Sequence, residues 1–167
     1  MKASRRPSSE EIATPAAPGA LRESAAAIRY DPGLIDTLLR DHAELGRLFS
    51  RIGEAGKAGD AGEARSLLVT FKARLKAHIV AENARFYDFL EQVSVDDPAT
   101  LRLLRGYRRE MAQIARAVLA FVHKYQASGF APQDRAQFSE DHVIVGKQLE
   151  HRLDAEEDNL YRLYRQP

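Results

Sequence analysis

An all-α fold, an antiparallel up-down-up-down four-helix bundle, is what this 167-residue sequence predicts. Apolar residues recur at alternating steps of three and four along four long stretches, the pattern of helices that bury one face. Short polar or glycine-rich breaks separate the stretches, as they do between neighbours in a bundle. No segment alternates at period two, so no strand is expected.

Residues 1 to 29 come first, rich in Ser, Pro, Ala and Glu without a sustained apolar period, and are expected to form a flexible tail. Residues 30 to 167 are expected to form the bundle. Asp31 can cap the first helix with Pro32 in its first turn, and Ile35, Leu38, His42, Leu45, Phe49 and Ile52 form its seam. The segment GEAGKAGDAG holds four glycines in ten residues and is expected to be a loop.

The second helix is expected from about Glu63 to Val93, with Leu68, Phe71, Leu75, His78, Glu82, Phe86 and Phe89 on one stripe. SVDDP ends it, and Asp97 with Pro98 opens the third. Leu101, Leu104, Tyr107 or Arg108, Met111, Ile114, Val118, Phe121 and Tyr125 mark the third seam, which breaks at Gly129 and Pro132. The fourth helix runs to near Tyr164 with Phe138, His142, Val145, Leu149, Arg152, Glu156, Leu160 and Leu163 in register. Helices two and four carry a weak internal likeness.

Composition narrows the chemistry. The chain has no cysteine, which removes disulfides, thiolate ligands and thiol catalysis. Its formal net charge of +1 supplies no field to recruit nucleic acid or an anionic membrane. No stretch is long and apolar enough for a membrane span, and MKASRR is followed by SSEEIATPAAPGA rather than an apolar segment. A cytoplasmic location is therefore expected. No nucleophile elbow, phosphate loop or zinc-peptidase signature occurs, so binding rather than catalysis is expected. RGYRRE reads as a solvated basic helix face, with contact to an acidic partner as the alternative, and Tyr87, Tyr107, Tyr161 and Tyr164 are expected to pack at helix ends with their hydroxyls in water.

His42, His78, Glu82 and Glu156 all lie in core registers. Residues four apart share a helix face, so these groups are expected to converge inside the bundle. Buried imidazoles and carboxylates are costly unless a metal ion or an internal cation satisfies them. Mixed histidine and carboxylate donors suit iron, manganese or zinc. A hydrogen-bonded pair of His78 with Glu82, and a satisfied core histidine at 42, are the metal-free readings of the same residues.

Residues 34 to 164 resemble the hemerythrin-like, or HHE cation-binding, domains. RDHAEL supplies His42, AHIVAEN supplies His78 and Glu82, and RLDAEEDNLYRLY supplies Glu156 in a segment like the closing "EExxLFPL" of those domains. The resemblance implies a four-helix bundle with a non-haem iron type of site. It also implies a His on helix three and a His four residues before Glu156. Here those positions hold Met111 and Arg152. The expectation is a partly degenerate site that holds a single iron ion or none, in a regulatory or binding protein.

Arg152 also permits a metal-free site, its guanidinium neutralising Glu82 and Glu156. With the His-containing first helix and the apolar Met111, this Arg-x-x-x-Glu spacing is similar to the Rsd/AlgQ regulators. That likeness implies a bundle that docks on a protein partner, the sigma factor of RNA polymerase.

Overall fold

The computed structural model describes residues 27–128 and 130–165. Residues 1–26 of the expected tail and the expected break at Gly129 lie outside them. The expected helices are present and no strand occurs among the described residues. Helix α1 spans Leu34–Ala58. The second rod comprises α2 (Ala61–Ala81), a π-helical turn (Glu82–Tyr87) and α3 (Asp88–Val93). Helix α4 spans Pro98–Ala127. The fourth rod is α5 (Arg135–Ala155), a second π turn (Glu156–Leu160) and a 3₁₀ turn (Tyr161–Leu163).

The caps follow from the sequence. Asp60 accepts from Glu63 N at 2.9 Å, and Asp97 accepts from Ala99 N and Thr100 N with Pro98 in the first turn. Asp31 does not cap α1 but lies two residues before its N-cap, Gly33, and accepts from Gly33 N at 2.9 Å. Residues 28 and 30 also contact the bundle. Ile28 exchanges hydrogen bonds with the Gln92 side chain, and Tyr30 stacks on Tyr164.

The glycine-rich segment after Ile52 is not a loop. Helix α1 continues through it to Ala58 and stops only at Gly59, whose φ is +78°. There, Gly59 N bonds Gly56 O at 3.1 Å and Asp60 N bonds Ala55 O at 2.9 Å, closing the helix end. Gly53 and Gly56 lie within this helix, where α5 approaches too closely for a side chain. A Cβ on Gly53 would stand 2.5 Å from the His142 ring, and one on Gly56 would overlap the Phe138 ring.

Helix α1 packs against α2 and α5, and α4 packs against the same two. Two apolar clusters fill the interior. Leu34, Leu38, Phe86, Phe89, Leu104 and Leu160 belong to one, and Leu45, Phe71, Met111, Phe121, Phe138 and Leu149 to the other. Successive rods cross from one cluster to the other in alternating order, consistent with an up-down-up-down bundle. Leu163, expected in the last seam, is exposed because the π and 3₁₀ turns rotate it outward.

The clusters meet at a polar layer. His42 lies between Leu38 and Leu45, His78 and Glu82 between Leu75 and Phe86, and Arg152 and Glu156 between Leu149 and Leu160.

Candidate metal centre

All four sequence-derived residues reach that layer. His42, His78, Glu82 and Glu156 are each no more than 3% exposed, and Arg152 is 1% exposed. Burial of this many polar groups is tolerable only if they satisfy one another or hold an ion.

Three donors converge more tightly than the rest. One ring nitrogen each from His42 and His78 and one carboxylate oxygen of Glu156 lie within 4.8 Å of one another. His42 Nε2 is 3.2 Å from His78 Nε2 and 3.4 Å from Glu156 Oε2. Glu82 takes a different place. Its Oε1 accepts a hydrogen bond from the Tyr161 hydroxyl at 3.0 Å, and it is not a member of the converging trio.

Two further groups orient the trio. His42 Nδ1 is 2.7 Å from Glu157 Oε1, which fixes the ring with Nε2 facing inward. Arg152 Nε donates to Glu156 Oε1 at 2.7 Å, and its other nitrogens reach the Tyr87 hydroxyl at 2.8 Å and Glu110 at 3.3 Å. The expected internal ion pair of Arg152 is therefore with Glu156, and the guanidinium also lies over the Tyr107 ring. Glu156 Oε2 and His78 Nδ1 remain buried without a hydrogen-bond partner.

The electrostatics follow from this packing. Burial works to lower the pKa of His42, but the nearby carboxylates of Glu156 and Glu157 outweigh it and hold it above the ordinary value. Burial and the neighbouring His42 push His78 down. Burial, then the charge of Glu156, raises Glu82 to about 8. Without an ion, the Arg152 guanidinium is the cation paired with Glu156, and the carboxylates beside His42 favour its protonated form.

The donor set fits one cation. Donors bound to a single first-row ion at about 2.0–2.2 Å stand roughly 2.9–3.6 Å from their neighbours in the shell. The separations of His78 Nε2 and Glu156 Oε2 from His42 Nε2 fall in that range, the whole trio lies within 4.8 Å, and the orphaned Glu156 Oε2 supplies a free acceptor. Two imidazoles with one carboxylate match a known ligand set of non-haem iron. A second ion fits poorly. Met111 offers only a thioether from an apolar cluster, and Arg152 places a positive charge beside Glu156.

The tyrosines are the residues that sequence reasoning missed. Tyr87 and Tyr161 are buried, and their hydroxyls enter the polar layer instead of water. Each follows a site carboxylate by five residues, an offset of about 140° at α-helical pitch. The π turns close that gap, with i to i+5 hydrogen bonds from Asp88 N to Asn83 O and from Tyr161 N to Glu156 O. The signal is the likeness of HIVAENARFY to RLDAEEDNLY, in which Glu82 and Tyr87 match Glu156 and Tyr161. Arg108 of the basic segment is not simply solvated either. It bonds Asn83 and Glu91, pairs with Asp88, and lies over the Tyr87 ring.

An unexpected groove of about 860 Å³ runs between α1 and α5, with Phe49, Leu149 and Leu153 among its lining. It reaches the Glu157 side of His42. His142, which carries no motif, lines the groove and bonds Phe49 O at 2.8 Å. No helix among the described residues is long and apolar enough to cross a membrane.

Neither a curated protein nor a solved structure matches the chain. The family model described as hemerythrin HHE cation binding domain matches residues 33–164, the whole of the bundle and its polar layer. The chain belongs to the hemerythrin HHE cation-binding domain family.

Proposed function

We propose that the protein binds one transition-metal ion, with iron the leading candidate, through His42, His78 and Glu156, and acts as a binding or regulatory module. The observation that carries this reading is the convergence of two imidazole nitrogens and a carboxylate oxygen within 4.8 Å in a buried layer. Glu157 and Arg152 are the positioning residues, one fixing the His42 ring and the other holding Glu156 by its far oxygen. Glu82 stands outside the ligand set and serves it through Tyr161.

A metal-free reading has its own support. Arg152 already gives Glu156 a buried counter-charge, which a bundle that works only as a protein-docking surface would need. Docking on a sigma factor rests on the sequence resemblance to Rsd/AlgQ alone.

Chelator-dependent melting separates the two. Protein purified without affinity-resin metal is melted with and without a chelator, beside Arg152→Ala treated the same way. The metal reading predicts that chelation lowers the wild-type melting temperature. A chelator-insensitive wild type that carries no metal, together with a strongly destabilised Arg152→Ala, favours the metal-free site.

A further inference from the structure

We infer that the Tyr161 hydroxyl oxygen is a fourth protein ligand, which directs the site toward ferric iron rather than zinc. This rests on the single-ion reading above. Tyr161 Oη, His78 Nε2 and Glu156 Oε2 surround His42 Nε2 at 3.0, 3.2 and 3.4 Å. The tyrosine oxygen is thus no farther from that nitrogen than the two donors already assigned. All three separations suit neighbours within one coordination shell.

Packing fixes the direction of this hydroxyl. The Tyr161 ring stacks on His42, with centroids 5.5 Å apart and planes at 25°, and meets Phe86 edge-on at 5.1 Å. The π turn from Glu156 to Leu160 delivers Tyr161 to the same layer as Glu156. An ordinary α-helical turn would carry it away.

The proton has a destination as well. Tyr161 Oη donates to Glu82 Oε1 at 3.0 Å. On ligation the O–H bond breaks, an oxygen–metal bond forms, and the proton leaves along the hydrogen bond to the Glu82 carboxyl, which passes one on to solvent and ends neutral as it began. Glu82 thereby has a use in the layer although it lies outside the converging trio. Phenolate and carboxylate oxygens are hard anionic donors, and a trivalent ion gains more from them than a divalent one.

The test adds ferric citrate to the full chain purified without metal, then measures iron per chain and the visible spectrum after desalting. Bound iron with a phenolate-to-iron charge-transfer band is expected. Tyr161→Phe should retain the iron and lose the band, whereas Tyr125→Phe, in the other apolar cluster, should keep both. Glu82→Gln can still accept the hydrogen bond but takes up no proton, so its band should weaken at equal iron content. This variant tests the assignment even if Tyr161→Phe does not fold. Bound iron without a band, a band that survives Tyr161→Phe, or an undiminished band in Glu82→Gln overturns the assignment and leaves the His-His-Glu site standing. Absence of bound iron in the wild type overturns both readings.

Discussion

Arg152 holds Glu156 by one oxygen and leaves the other free. Its Nε donates to Oε1 at 2.7 Å, while Oε2 is buried without a hydrogen-bond partner and lies 3.4 Å from His42 Nε2. One carboxylate therefore serves an internal cation on one side and offers a ligand atom on the other. This division explains how a chain can carry arginine in the expected place of a histidine and still retain a candidate cation site.

Removing the guanidinium should expose the cost of that arrangement. Arg152→Ala leaves Glu156 short of its buried partner, and a loss of about 3–5 kcal/mol in unfolding free energy is expected. Adding Glu156→Gln should recover part of it, since the uncompensated charge is then gone. Denaturant melts of the single and double variants measure both. A silent Arg152→Ala would mean that the guanidinium is not the counter-charge of Glu156.

Restoring the two missing imidazoles tests the site's degeneracy. The double variant Met111→His with Arg152→His should raise iron content above that of the wild type, toward two ions per chain. Elemental analysis of the folded double variant decides it, and unchanged iron would show that this layer is not a reduced form of a two-ion centre.

The helical glycines make a prediction about packing. Gly56→Ala drives a methyl group into the Phe138 ring and should destabilise the bundle by about 1–3 kcal/mol. A Cβ added to Gly46, on the same helix, would meet nothing within 4 Å. Gly46→Ala should therefore stabilise by about 0.5–1 kcal/mol, as expected for an open helix interior. Equal effects of the two changes in chemical denaturation would contradict the close approach of α5.

His142 should couple stability to pH. Burial, with a further contribution from Lys57, lowers its pKa below the ordinary value of 6.5, although its bond to Phe49 O opposes the shift. The unfolded chain then binds this proton at a higher pH than the folded protein does. The stability that His142 contributes is present above about 6.5 and is lost as pH falls from there through the lower folded value. In His142→Gln, unfolding free energies measured between about pH 7.5 and 5 should depend less steeply on pH. An unchanged slope would show that His142 is not held neutral by the fold.

Much of this architecture is legible in the sequence, because spacing of three and four reports directly which residues share a helix face. Register alone is enough to bring His42, His78, Glu82 and Glu156 to one layer. The same rule explains the misses. Tyr87 and Tyr161 fall off the α-helical stripe, and only the π turns return them to it. Gly53 and Gly56 resemble loop residues because composition carries no record of a ring arriving from α5, more than eighty residues away along the chain. Glu82 shares the register of the converging donors yet does not join them, since register fixes the layer and side-chain contacts fix the partner. The groove beside His42 cannot be read from the sequence at all, because it depends on the separation between α1 and α5.

Equilibrium dialysis of ferrous iron against the metal-free chain, under anaerobic conditions, tests the central claim most directly. Wild type, His42→Ala and Glu156→Gln are compared, each checked for helical content. The three-donor site predicts one ion per wild-type chain and marked loss of that ion in both variants. No bound ion in the wild type, or binding that is undiminished in a folded Glu156→Gln, would contradict it.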